Sequence, residues 1–172
     1  MTGIKIETRP ETRHLRPPSP PPEDWAAAGW AGLYGGCVYL FVQLVAAPVL
    51  IGASPWAPVR FIAAIVLGSA VLPPPFTFDP LLLIVALTVN FTLSMLYTRA
   101  LAPLWSRARP REAVGFGLAA GLVLFIVNFY ALTEIFPWFK AEREWVTLLA
   151  NAAFGAASAF VYKTLERRPA DR

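Results

Sequence analysis

The 172-residue chain is 56% hydrophobic and 13% aromatic, with a mean hydropathy of +0.52, a composition that excludes an ordinary water-soluble domain of this size. A net charge of +4 would point to nucleic acid in a soluble protein. Here the basic residues crowd the ends of apolar segments, so they read as topology signals and no nucleic-acid partner is expected. One cysteine, Cys37, and one histidine, His14, exclude an intrachain disulfide and a zinc-type cluster, and Cys37 reads as a small packing residue.

Residues 1–24 mix charges with prolines and end in "RPPSPPPEDW", which predicts an extended, disordered arm with too little apolar surface to fold. The arm lacks a short apolar core with a small-residue cleavage site, so it is not read as a secretory signal peptide. A four-helix transmembrane domain is expected over 25–163, with spans at 29–51, 80–102, 114–136 and 145–163, followed by a basic tail at 164–172. A further apolar stretch, 59–72, lies between "SPWAP" and "LPPPF" and is too short to cross a bilayer. It reads as a re-entrant or interfacial helix. Arg60 is its only charge and the rest is apolar all round, which favours burial against other helices. The expected fold is therefore all-α: an integral membrane bundle of four transmembrane helices plus one short helix.

Lys5, Arg9, Arg13 and Arg16 precede the first span, Arg99, Arg107, Arg109 and Arg111 flank the middle connection, and Lys163, Arg167, Arg168 and Arg172 follow the last span. The other two connections hold only Arg60, Lys140 and Arg143, so both termini and the middle connection are expected in the cytoplasm. Trp25, Trp56, Trp105, Trp138 and Trp145 fall at span edges and read as interfacial belts.

Each span carries one carboxamide: Gln43, Asn90, Asn128 and Asn151. Counted from the predicted outer ends, they lie roughly 9 to 15 Å deep at 1.5 Å per residue, which is one level. Small or polar residues share their faces at helical spacing: Gly32 and Gly36 with Gln43, Ser94 and Tyr97 with Asn90, Gly117 and Gly121 with Asn128, and Gly155, Ser158 and Tyr162 with Asn151. The first and third spans share G-x-x-x-G followed by the amide, and each precedes a Pro-Trp pair, Pro55 with Trp56 and Pro137 with Trp138. Two tandem helix pairs in one orientation would give this pattern. Gly32, Gly36, Gly117 and Gly121 are expected to mediate helix packing. The amides fit either interhelical hydrogen bonding or a polar pocket toward the outer leaflet.

Catalytic chemistry is thin. No histidine falls in a span, no G-x-S-x-G or P-loop occurs, and Asp79, Glu134, Glu142 and Glu144 lie toward the outer side. Glu134 stands out as an outer-face acid a turn from Pro137; it reads as solvated or paired with Arg143, or else as a gate or proton acceptor.

On "SPWAPVRFIAAIVLG", "VLPPPFTFD", "VNFYALTEIFPWF" and "REWVTLLANAAFG", the chain resembles a group of small bacterial four-helix membrane proteins of unknown function, over about residues 29–162. Some of them carry the automated label sodium:proline symporter, a name whose usual bearers are far longer. The resemblance implies a bacterial inner-membrane protein. It also implies that relatives hold a glutamate at the position of Gln43 and histidines at those of Asn90 and Asn151, a set suited to a metal or haem. Three neutral amides are poor ligands for either, so no cofactor and no metal are expected here. The functional expectation is a non-catalytic accessory or structural membrane protein working as a homo-oligomer or within a larger complex, the alternative being a small oligomeric transporter or channel with an amide-lined polar site.

Overall fold

A computed structural model describes residues 23–166; the expected arm over 1–22 and the tail from 167 lie outside the described residues. The described chain is helical without strands, with four helices long and apolar enough to cross a membrane. These are α1 (Trp25–Ile51), α3 (Pro80–Ser106), α4 (Pro110–Glu134) and α5 (Trp145–Leu165), with the shorter α2 (Trp56–Leu67) between the first two. Local chemistry sets their ends. Asp24 caps α1 by accepting from Ala27 N at 3.0 Å, and Asp79 caps α3 by accepting from Leu81 N at 2.9 Å and Leu82 N at 3.2 Å. Gly52, at φ 67°, ends α1 in the left-handed conformation that glycine adopts without a Cβ penalty.

The spans run further than expected at the end of the bundle that holds Asp24. There α1 begins at Trp25, α3 continues through Pro103 to Ser106, and α5 reaches Leu165. The extension carries Trp105 inward, where it is fully buried against Tyr162, ring centroids 5.7 Å apart. Trp105 is therefore a core residue and not part of an interfacial belt. Around it pack Ala27, Ala28, Ala31, Ala102, Ala113 and Ala159, whose small side chains let four helices converge. Lys163 donates to Trp105 O at 3.3 Å and pairs with Glu166, which ties α5 to the end of α3.

The glycines make the contacts between spans. A Cβ on Gly32 or Gly36 would strike Met95, Thr98 and Ser94 of α3, and one on Gly117 or Gly121 would strike the backbone of Gly155 and Asn151 of α5. So α1 meets α3, and α4 meets α5, through corresponding G-x-x-x-G faces. Gly35, on an adjoining face of α1, abuts Phe154 and Ser158 of α5 and joins the two pairs. Cys37 faces outward from the bundle.

The short helix packs as its all-round apolarity implied. Val59 and Ala63 are buried with Leu82 and Ala86 of α3, and Trp138 Nε1 donates to Phe61 O at 3.2 Å. Arg60 Nη1 donates to Val71 O at 2.9 Å, pinning the following 3-10 turn, Ser69–Val71, back onto α2.

Candidate functional site

Gln43, Asn90, Asn128 and Asn151 all line one cavity of about 310 Å³. Two local breaks in helix geometry help to shape it. Val42–Ala46 in α1 and Val127–Ala131 in α4 are five-residue π-helical stretches, each following 17 residues of α-helix and each with the amide as its second residue. Such stretches widen a helix, release carbonyls from the regular ladder and occur frequently at functional sites. In α1 the break precedes Pro48, which has no N–H to donate; in α4 the loosened segment is held from outside, Arg143 Nε donating to Phe129 O at 2.6 Å.

No amide bonds to another amide. Asn90 Nδ2 donates to Gly36 O at 3.4 Å, Asn151 Nδ2 to Thr147 O at 2.8 Å, and Asn128 Oδ1 accepts from the Tyr97 hydroxyl at 2.9 Å. Gln43 Nε2 faces three acceptors, the Tyr39 hydroxyl at 3.4 Å, Glu142 Oε2 at 3.3 Å and Thr147 Oγ1 at 3.3 Å. Asn90 thus bonds to a neighbouring main chain, not to a neighbouring amide. Gln43, Asn90 and Asn151 are buried, and Asn128 is half-buried.

Glu142 is the acid of the site, and sequence reasoning passed over it. It ends a 3-10 helix, Pro137–Glu142, that folds from the end of α4 over the cavity and brings Phe136 and Phe139 with it. Burial, and secondarily the charge of Glu144, pushes its carboxyl up to about 7, against the pull of hydrogen bonds from Gln43 and Thr147. Residues 137–144 carry no helical periodicity, so nothing in the sequence pointed Glu142 at Gln43. Glu134, by contrast, is exposed and does not line the cavity. Arg143 does not pair with it: Nη2 donates to Thr133 Oγ1 at 3.0 Å and the guanidinium lies 4.3 Å over the Tyr130 ring.

The rest of the wall is apolar, built from α2, α3, α4 and α5 with aromatic rings prominent, among them Phe61, Phe129 and Phe154. An apolar cavity with a few convergent polar groups is the usual form of a small-molecule site. The cavity wall holds one carboxylate, Glu142, and no histidine or cysteine, a poor donor set for a transition metal or haem. Among the described residues, no three His, Cys, Asp or Glu side chains converge.

Fold and site define an all-α, multi-pass membrane bundle enclosing a polar-floored cavity. Comparisons with protein-family models, curated proteins and solved structures return no match.

Proposed function

We propose that this is a non-catalytic inner-membrane protein of bacterial type that binds a small molecule in the cavity between its helices, with both termini in the cytoplasm. The carrying observation is convergence: four amides from four spans, no two of them bonded to each other, border one space together with Tyr39, Tyr97 and Glu142. Asn90, Asn128 and Gln43 also bond across helix interfaces, yet each has a second amide atom with no hydrogen bond from the described residues, more polarity than interhelical glue alone requires. The threading rests on the basic residues near residues 99–111, and kinship with the small bacterial four-helix proteins rests on the shared motifs quoted above. Such a protein serves as an accessory component that holds its ligand for a partner or an oligomer, within the lipid bilayer.

The test is ligand retention. Protein extracted in mild detergent and examined by native mass spectrometry is expected to carry, or to gain thermal stability from, a small molecule of its membrane extract. Leu124→Trp, which fills the cavity from α4, is expected to lose that effect. Equal behaviour of the two proteins would sink the proposal.

A further inference from the structure

The atoms left over at the cavity floor include three amide oxygens. The side-chain nitrogens of Gln43, Asn90 and Asn151 each donate to a protein acceptor, and their amide oxygens accept no hydrogen bond from the described residues although all three residues border the cavity. These residues are only 2%, 7% and 4% exposed, so a donor to their free oxygens has to come from the cavity. Glu142 adds carboxyl oxygens at one edge. No lysine, arginine or histidine among the described residues borders the space. The nearby guanidinium of Arg143 donates to Phe129 O and Thr133, and that of Arg60 donates to Val71 O and Thr77 O while its Nε has no acceptor among the described residues; neither borders the space.

We propose that the cavity takes a small organic cation, a protonated amine on an apolar body, with its ammonium at the amide oxygens and Glu142 and its body against the phenylalanine wall. This deepens the binding role proposed above and rests on it. An ammonium brings donors and no acceptors, so it suits a floor of orphaned carbonyls. The aromatic rings add cation–π attraction and apolar burial. An anion would find hydroxyl and amide donors, Asn128 Nδ2 among them, but no cationic side chain on the wall, and would face the carboxyl group of Glu142. A bare metal ion would leave the aromatic wall without a role.

Glu142 makes the binding proton-linked. The titratable groups around it are Tyr39 from α1, Tyr97 from α3 and Glu144 and Arg143 beside it; Arg143 is the only cation of these and does not border the cavity. With its carboxyl held near 7 it is partly protonated in neutral water, and the cation favours the ionised form. Binding therefore releases the Glu142 proton to solvent and strengthens as pH rises through about 7.

The full-length protein in detergent is titrated calorimetrically with three probes on one skeleton: 4-phenylbutylammonium, 4-phenylbutanol and 4-phenylbutyrate, at pH 6 and pH 8. The ammonium is expected to bind at least about tenfold tighter than the alcohol at pH 8, and to lose about tenfold in affinity at pH 6 while the alcohol does not change. Glu142→Gln is expected to flatten that pH profile. Should the variant not fold, the wild-type profile decides alone. Alcohol or carboxylate binding as tightly as the ammonium would overturn the cation inference and leave a ligand cavity standing. Heats that do not saturate and are the same in Leu124→Trp would overturn both.

Discussion

Asn128 and Tyr97 form the shorter of two hydrogen bonds at the cavity that join side chains of two spans, at 2.9 Å against 3.3 Å for Gln43 and Thr147, and it crosses a gap between α3 and α4 that backbone packing does not close. The other amides use a main-chain carbonyl or a residue at the cavity edge. That the four amides share a depth was legible from helical periodicity and distance to the span ends. Their partners were not, because Glu142 ends an irregular turn where spacing carries no facing information, and the acceptors of Asn90 and Asn151 are main-chain carbonyls that no side-chain pattern marks. A double-mutant cycle with Tyr97→Phe and Asn128→Leu, read from chemical unfolding in detergent, is expected to give a coupling of about 0.6 to 1.7 kcal/mol. No measurable coupling would mean that the two side chains do not meet.

The helices are the most legible level. Runs of apolar residues gave all four spans, and the short helix was recognisable by its length between proline clusters. Their extensions were not legible, since Pro103 reads as a helix end in sequence while α3 continues past it to Ser106. The π stretches were half legible: Pro48 announces a disturbance after Gln43, whereas nothing near Asn128 does so. The corresponding glycines were legible as packing residues, and their partners give them unequal weight. Gly121→Ala drives a methyl into the main chain of Asn151 and is expected to cost about 1 to 3 kcal/mol of stability. Gly115→Ala, with nothing within 4 Å, is expected to be neutral or stabilising by up to about 1 kcal/mol through helix propensity. Equal effects at the two positions would contradict the close approach of α4 to α5.

Across the whole molecule, α1 pairs with α3 and α4 pairs with α5 through matching faces, α5 also lies against α1, and α3 approaches α4 only loosely. The cavity is what this arrangement leaves between α3 and α4, roofed by α2 and by the turn that ends in Glu142. No single span contains it, which is why sequence reading found its polar residues but not their enclosure. Its existence as accessible space inside the membrane domain can be read on a single helix. Leu93 borders the cavity, whereas Leu96, nearly a turn further along α3, is exposed on the outside of the bundle, where lipid would cover it. In a Cys37→Ser background reconstituted in vesicles, a small water-soluble thiol reagent is expected to modify Leu93→Cys and to leave Leu96→Cys largely unmodified. Reaction at Leu96→Cys with Leu93→Cys silent would contradict a water-accessible cavity between these helices.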